Sequence, residues 1–220
     1  MKIEGAIFDV DGTLLDSMHI WDRAGDEYLL SLGIQPKPDL RQIIKVMSLT
    51  QVAEYFHKEY NVEKTVEEIM DGINQVVAEF YLNKAESKLG VRETLEHFQD
   101  KGVKMCVATA TDMNLIDAAL TRCGIRKYFQ EIFTCESVGA GKDKPVIYEK
   151  ALESLGTSKE STWVFEDALY AAKTAKAAGF NVVGVFDKAE VDEEELRAIS
   201  DKYITEFDLD VLNFVAEAKA

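Results

Sequence analysis

The stretch "AIFDVDGTLLDS", residues 6–17, joins an apolar run to two closely spaced carboxylates. Asp9 and Asp11 follow the apolar run directly and are two positions apart. Because residues i and i+2 of a strand face the same side, both acids should converge where the strand ends. Two negative charges so near each other repel, and this repulsion raises the pKa of a carboxyl group unless a cation or a reaction requires both charges. The stretch therefore predicts a functional site at the end of a buried first strand.

The composition limits the classes of function. A chain of 220 residues with 47% hydrophobic residues can bury one substantial core and a smaller accessory unit. A formal net charge of -15 argues against nucleic-acid or acidic-membrane partners. The chain has no apolar stretch of about 18 residues, and the first strand follows the N-terminus so closely that we expect no signal peptide. The scattered Cys106, Cys123 and Cys135 lack C-x-x-C spacing and predict reduced thiols in a cytoplasmic protein.

Short apolar runs alternate with helix-like stretches through most of the chain. Strands that are almost wholly apolar and alternate with helices predict a parallel sheet covered on both faces. The expected fold class is α/β, with a Rossmann-like parallel-sheet core. The predicted strands are Ile3–Phe8, Met105–Thr109, Glu131–Cys135, Thr162–Phe165 and Val182–Val185, and the helices between them include Asn114–Cys123, Val146–Leu155 and Tyr170–Ala178.

One segment interrupts this alternation. Between about residues 18 and 85 the pattern is helical throughout, as in "VEEIMDGINQVVAEFYL". We predict an α-helical cap domain at residues 17–85, inserted into an α/β core domain made of residues 1–16 and 86–220. Ligands of open α/β sheets bind outside the carboxyl ends of the strands, so a unit inserted there is expected to act as a lid.

Three further motifs follow "DVDGT" (9–13) in order: "VATATD" (107–112), "GKDKPVIYEKAL" (141–152) and "VFEDA" (164–168). Together they resemble the four motifs of the haloacid dehalogenase superfamily, most of whose members are phosphohydrolases. The resemblance covers nearly the whole chain. It implies a Mg²⁺-dependent phosphatase that hydrolyses a small phosphorylated metabolite through an aspartyl-phosphate intermediate.

The resemblance also implies roles for individual residues. Asp9 would be the nucleophile, and Asp11 would protonate the leaving oxygen and then deprotonate the incoming water. Thr109 would hold phosphoryl oxygens through its hydroxyl, with the backbone N–H groups of Ala110 and Thr111 beside it. For Thr111, capping of the following helix is an equally good interpretation.

Two lysines compete for the third motif. The family pattern Lys-Pro-x-Pro-x-x-Tyr/Phe has the aromatic residue six positions after the lysine, and Tyr148 is six positions after Lys142. The first proline is replaced by Asp143, which leaves Lys144 as an alternative. Either ammonium would offset the charge on the phosphoryl group and the nucleophile. We favour Lys142.

The fourth motif completes the expected metal site. Mg²⁺ takes about six hard oxygen ligands and usually keeps waters beside one or two carboxylates and a phosphate. By resemblance, Asp9, the Asp11 carbonyl and Asp167 would bind the ion, and Glu166 would bind it through water or as an outer ligand. The family commonly continues E-D-S-x-x-G, whereas this chain has alanine at positions 168 and 171.

Two alternative functions stay open. A phosphomutase of the β-phosphoglucomutase type shares the core and cap, and a non-catalytic relative would act as a binding module. Mutases of this type typically have a histidine twelve residues after the nucleophile, where this chain has Trp21, and a cap arginine where it has Leu49. Trp21 would then serve in packing or in the wall of a substrate pocket. The sequence predicts a small phosphoester as partner but does not identify it, and does not separate monomer from homodimer.

Overall fold

The computed structural model describes residues 3–45 and 47–208. Within this part the backbone divides into two compact units, one of residues 3–16 and 85–208, the other of residues 17–45 and 47–84. The first two and last twelve residues of the predicted core domain, and Val46 of the predicted cap, lie outside the described residues.

The first unit contains a six-stranded parallel sheet in the order β3-β2-β1-β4-β5-β6. The predicted α/β fold class is confirmed. β1 lies in the middle of the sheet, paired with β2 on one side and β4 on the other, and all four of its residues are buried. The strands are β1 (Gly5–Phe8), β2 (Lys104–Thr109), β3 (Ile132–Thr134), β4 (Thr162–Glu166), β5 (Asn181–Val185) and β6 (Lys202–Ile204).

The helices of both units lie largely where the sequence pattern is helical. The helix predicted at Val146–Leu155 is observed with the same bounds. The predicted helices before and after it in the chain each begin and end one residue earlier than predicted. Two short 3₁₀ helices, Arg126–Tyr128 and Lys159–Ser161, lie in the first unit. The α-helices are α1 (His19–Ser31), α2 (Leu40–Ile44), α3 (Leu49–Glu59), α4 (Val66–Asn83), α5 (Val91–Asp100), α6 (Met113–Arg122), α7 (Cys135–Val138), α8 (Val146–Leu155), α9 (Leu169–Ala177) and α10 (Glu193–Ile199).

The second unit is formed by α1–α4, and no strand is found among its described residues. Long helix α4 packs against α1 and α3, and the buried rings of Tyr28 and Phe56 stack at 6.2 Å between centroids. Thr65 begins α4 with a reciprocal capping box in which Glu68 takes part. Trp21 is 51% exposed and its ring lies 6.4 Å from that of Tyr81 within the same unit.

The sheet core is built from the inward-facing residues of the parallel strands and the helices that cover them. Phe8 stacks on Phe165 of the neighbouring strand at 4.3 Å and contacts Phe98 of α5 at 6.3 Å. A continuous apolar cluster on the sheet includes Ile7, Val164 and residues of α8 and α9. Burial of this surface on both faces fixes the positions of the strand ends.

Sequence analysis did not predict β6, because the run Lys202–Ile204 is only three residues long and half-buried for two of them. Its backbone pairs with β5 at the edge of the sheet. Among the residues that the structure describes, no helix has the length and apolar character needed to cross a membrane.

We predict that Gly90→Ala strongly destabilises the first unit. Gly90 has φ +79°, and an added Cβ would lie 1.7 Å from the backbone carbonyl oxygen of Phe207. Left-handed strain and this clash should together lower the free energy of unfolding by about 2–4 kcal/mol. Gly102→Ala is the matched control, because Gly102 has φ +76° and open space around it. Urea denaturation should show only the strain of about 1–2 kcal/mol for the control; equal losses in both variants would contradict the clash.

Candidate active site

The position of β1 in the sheet determines which side chains meet. The amide of Asp9 donates to the carbonyl of Phe165 at 2.9 Å, so the pairing with β4 continues beyond β1. Thr109 is the last residue of β2, and Glu166 is the last residue of β4. Because the strands are parallel, their carboxyl ends lie at one edge of the sheet, where ligands of open α/β sheets bind.

The backbone turns sharply after Asp9. The carbonyl of Val10 accepts hydrogen bonds from the amides of Leu14 and Leu15, both at 2.8 Å. Gly12, with φ +78°, permits the left-handed conformation that this turn requires. The turn directs the loop that carries Asp11 and Thr13 back over the strand end.

Lys142 lies between two of the acids. Its ammonium donates to Asp9 Oδ1 and to Glu166 Oε1, the second at 2.6 Å. Lys142 is 4% exposed and Glu166 is fully buried, whereas Lys144 is exposed. The structure therefore brings Lys142 into the cluster and leaves Lys144 outside it.

Burial sets the charge state of the pair. Burial is the main cause that raises the pKa of Asp9 to about 6; Lys142 opposes this effect, and Glu166 adds to it. Burial alone would lower the pKa of Lys142, but the attraction of Asp9 and Glu166 together raises it above its ordinary value. Lys142 therefore stays an ammonium ion at neutral pH.

Glu166 is held on one side only. Its Oε1 atom accepts from the Tyr148 hydroxyl at 2.8 Å as well as from Lys142, but Oε2 is buried with no hydrogen-bond partner among the described residues. A buried carboxylate oxygen without a partner is costly unless water or a cation contacts it. In the sequence, Tyr148 only aligns the lysine motif with the family pattern, and that pattern does not predict its hydrogen bond to Glu166.

Asp167 completes a cluster of acids. Its Oδ1 atom accepts from the Thr13 hydroxyl at 2.9 Å, and burial, followed by the charges of Asp9 and Glu166, raises its pKa well above the ordinary value. One carboxylate oxygen from each of Asp9, Glu166 and Asp167 lies within 4.8 Å of the others. If all are ionised, three carboxylates and one ammonium leave a net charge of -2.

This cluster fits a divalent cation. The donor set consists of carboxylate oxygens, which Mg²⁺ prefers, its residual charge matches the ion, and Glu166 Oε2 lacks a partner in the described part of the chain.

Asp11 is positioned by the loop after β2. The Thr111 hydroxyl donates to Asp11 Oδ2 at 2.7 Å, and the Thr111 amide donates to the hydroxyl oxygen of Thr109 at 3.1 Å. Helix α6 begins after Asp112, whose side chain makes no capping hydrogen bond. Thr111 therefore contacts Asp11 through its side chain, while its amide, which we expected at a phosphoryl oxygen, contacts Thr109. Ala110 is exposed beside them.

Comparison with known proteins agrees with this geometry. Residues 6–185 match the model of the haloacid dehalogenase-like hydrolase family. The chain belongs to this family. It is 28% identical over 177 residues to the phosphorylated carbohydrates phosphatase of Thermotoga maritima, covering 80% of this chain and 82% of that protein. It is 24% identical over 149 residues to hexitol phosphatase B of Escherichia coli K12, covering 67% of each.

A solved structure also resembles this haloacid dehalogenase-like hydrolase. It is from Thermotoga maritima and is described as a candidate β-phosphoglucomutase; it is 26% identical, with a TM-score of 0.85, and the match covers 98% of this chain and 99% of that one. The family and enzyme class predicted from the sequence are confirmed: the chain is a haloacid dehalogenase-like phosphoric monoester hydrolase.

We predict that Lys142→Ala lowers kcat far more than Lys144→Ala. Loss of one preorganised positive donor at a reacting oxyanion typically costs about 10²–10³-fold in kcat, and only Lys142 reaches Asp9 and Glu166. Lys144→Ala is the matched control and should stay within about threefold of the parent. Steady-state kinetics on p-nitrophenyl phosphate measures both variants; a larger loss in Lys144→Ala would assign the motif lysine to Lys144.

We predict that Mg²⁺ binds more weakly as pH falls through about 6. The pKa of Asp9 is raised to about 6, so below that pH the carboxyl is protonated and a proton must leave when the ion binds. Calorimetry at pH 5 and pH 7, in two buffers with different ionisation enthalpies, should show weaker binding and proton release at the lower pH. Asp9→Asn should release fewer protons per ion. Equal affinity at both pH values would contradict protonation of the cluster.

Proposed function

We propose that this protein is a Mg²⁺-dependent phosphatase that hydrolyses a small phosphorylated metabolite through an aspartyl-phosphate on Asp9. The observation that carries the proposal is the buried cluster in which Lys142 bridges Asp9 and Glu166, beside Asp167. A phosphoryl group carries negative charge throughout its transfer. The Lys142 ammonium ion and a cation bound by the carboxylates beside Asp9 would both offset that charge.

Asp9 is the proposed nucleophile because its carboxylate lies at the end of β1 and is fixed by Lys142. Attack by Asp9 on phosphorus would form the Asp9–phosphorus bond and break the bond to the leaving oxygen. The hydrogen bond from Lys142 holds the carboxylate in one orientation and offsets charge on the nearby phosphoryl oxygens. Water would then attack the same phosphorus and release Asp9 as a carboxylate.

Asp11 is the proposed acid and base. Asp11 is only partly buried, and the Thr111 hydroxyl holds one of its oxygens. It would give a proton to the leaving oxygen in the first step and take one from water in the second. We therefore assign the Thr111 side chain to orienting Asp11. We no longer assign the Thr111 amide to phosphate binding, because it donates to Thr109.

Thr109 and Ala110 are the proposed phosphate ligands on the β2 side. The Thr109 oxygen accepts from the Thr111 amide, so the proton of the Thr109 hydroxyl can be donated to an anion. The Ala110 amide follows directly in the same loop. Lys142 supplies the third contact and the positive charge.

Asp9, Asp167 and the carbonyl of Asp11 would hold Mg²⁺, with Glu166 contributing directly or through water. When bound, the ion supplies positive charge that offsets the phosphoryl oxygens and the clustered carboxylates. Thr13 orients Asp167 and Tyr148 orients Glu166 through their hydroxyls.

The proposed substrate class is a phosphorylated sugar or sugar alcohol. Two relatives are named for phosphatase activity on phosphorylated carbohydrates and on hexitol phosphates. The β-phosphoglucomutase description of a similar structure supports the same class of ligand but a different reaction. We favour hydrolysis because apolar Trp21 and Leu49 occupy the positions where such mutases typically have histidine and arginine. Two further expectations stay predictions: a cytoplasmic location and a lid function for the α-helical unit. The protein is expected to be a monomer or a homodimer.

The decisive experiment measures phosphate release from a panel of sugar and sugar-alcohol phosphates. We expect EDTA to abolish release and Mg²⁺ to restore it, and Asp9→Asn to be inactive because an amide does not attack phosphorus. Asp100→Asn, an exposed residue at the end of α5, is the matched control and should keep full activity. Mass spectrometry after an acid quench should find phosphate on Asp9.

Two outcomes would contradict the proposal. Full turnover in EDTA would exclude the metal site as assigned, and phosphate on another residue would exclude Asp9 as nucleophile. The same reaction followed by phosphorus NMR, with β-glucose 1-phosphate and a trace of bisphosphate, tests the mutase alternative: interconversion to glucose 6-phosphate faster than phosphate release would assign the protein as a mutase.

A further inference from the structure

The loop that follows β5, residues 186–190, contacts both loops that carry the acids of the site. We call this loop the β5 strap. Its Asp187 is 5% exposed although it belongs to none of the four motifs. Asp187 Oδ1 accepts from the Ala189 amide at 2.9 Å, and its carbonyl accepts from the Glu190 amide at 3.2 Å. The strap is therefore a compact turn held by its own hydrogen bonds.

Lys88 joins the strap to the loop of the nucleophile. Its ammonium donates to Asp187 Oδ2 at 2.9 Å, to the Phe186 carbonyl at 2.8 Å and to the Gly12 carbonyl. An ammonium ion has three donors, so these three acceptors can use all of them. The Lys88 amide also donates to the Leu14 carbonyl at 2.9 Å.

The contact with Gly12 reaches the centre of the site. Gly12 lies between Asp11 and Thr13, whose hydroxyl donates to Asp167. Only 18% of the Lys88 side chain is exposed. Lys88 thus holds the Gly12 carbonyl from inside the protein. A lysine that pointed into solvent would leave this carbonyl free to move.

Glu190 joins the other end of the strap to the loop of the metal ligands. Its Oε2 atom accepts from the amide of Leu169, the first residue of α9, at 2.8 Å. Helix α9 begins after Ala168, which has no side-chain oxygen to cap it and follows Asp167 directly. A carboxylate at a helix N-terminus satisfies an exposed amide and interacts favourably with the helix dipole. Glu190 therefore satisfies, from the strap, the first amide of α9.

We propose that Lys88 and Glu190 are positioning residues, and that the β5 strap holds the Asp9–Thr13 loop and the Glu166–Leu169 loop in fixed register. The inference rests on the proposed roles of Asp9 and Asp167 in phosphoryl transfer. A misplacement of about 1 Å between reacting groups can cost about 10²-fold in rate. The strap would limit that displacement without touching the substrate.

The test for Lys88 separates positioning from stability. Lys88→Met leaves the buried Asp187 carboxylate unpaired and should destabilise the fold. The double variant Lys88→Met/Asp187→Asn removes both charges and should recover most of the melting temperature. Because methionine has no N–H group to donate to the Gly12 carbonyl, we expect kcat for p-nitrophenyl phosphate to stay about 10- to 100-fold low with KM little changed. Recovery of kcat together with the melting temperature would overturn the role of Lys88.

A matched control uses an exposed pair on the same unit. Lys173 and Glu195 form an ion pair at 2.6 Å on the surface. Lys173→Met/Glu195→Gln removes the same charge types and should leave kcat within about twofold of the parent, as expected for an exposed pair. A loss of kcat equal to that of the Lys88 variant would show that the effect is not specific to the strap.

The test for Glu190 separates its link to Leu169 from capping of the helix alone. Glu190→Ala should lower kcat by about 10-fold or more, because the link between the strap and the Leu169 amide is lost. Ala168→Ser in that background is the control for capping alone. Ala168 has φ -89° and ψ 122°, the extended conformation in which a serine hydroxyl can cap α9 locally; because this serine does not rejoin the strap, kcat should stay low. Glu190→Gln keeps an oxygen acceptor and should lose less than Glu190→Ala. An unchanged kcat in Glu190→Ala, or full recovery of kcat by Ala168→Ser, would overturn the positioning role of Glu190.

Hydrogen exchange distinguishes failure of the strap from failure of the proposed reaction. In the metal-free protein, amides of residues 9–16 should exchange faster in Lys88→Met/Asp187→Asn, and amides of residues 166–172 should exchange faster in Glu190→Ala. Faster exchange in a protein that hydrolyses no phosphoester would refute the proposed reaction and support the strap. Unchanged exchange in both variants of an active enzyme would refute the strap alone.

Discussion

The ammonium ion of Lys142, buried between Asp9 and Glu166, is the interaction on which the rest of the site depends. Buried acids without a counter-charge would be protonated, because burial disfavours the charged form. Lys142 keeps part of the cluster ionised and fixes the direction of the Asp9 carboxylate. Its single positive charge does not balance three carboxylates, so the cluster retains an affinity for a further cation. The same imbalance that is unfavourable for folding is thus the basis of the proposed metal site.

The sheet holds these groups in place from three directions. The proposed nucleophile follows the central strand, the proposed phosphate-binding segment lies at the end of β2, and the acids proposed to bind the metal lie at the end of β4 and directly after it. Each of these strands is buried on both faces, so its end cannot shift without disturbing packing on either side. Polar contacts then connect the loops: Thr111 reaches Asp11, and Thr13 reaches Asp167. The buried strands thus fix the positions of the site residues, and hydrogen bonds between the loops fix the orientations of their side chains.

The family motif is incomplete in this chain, and a residue outside the four motifs contacts the helix end beside the change. Alanine at position 168 removes the side-chain cap that serine would offer α9. Glu190, remote in sequence, contacts the same end of the helix. This hydrogen bond connects the loop at residues 166–169 to a segment outside the four motifs, and Lys88 connects the loop at residues 9–13 to that same segment. The effect of a substitution near the site should therefore depend on which residues stand at position 88 and at positions 186–190.

The sequence alone determined the parallel α/β fold, because strands buried on both faces must be continuously apolar and the intervening helices must be amphipathic. The spacing of Asp9 and Asp11 after an apolar run also indicated a site, and the resemblance of four segments to the family motifs pointed to Lys142, Glu166 and Asp167. Residues whose contribution depends on distant partners were not predictable in this way. Tyr148, Lys88 and Glu190 have ordinary local contexts, and only the folded backbone brings their polar atoms to Glu166, Gly12 and Leu169. Strand β6 was missed for the same reason, since its three residues, two of them half-buried, form a strand only when β5 lies beside them with unpaired backbone groups.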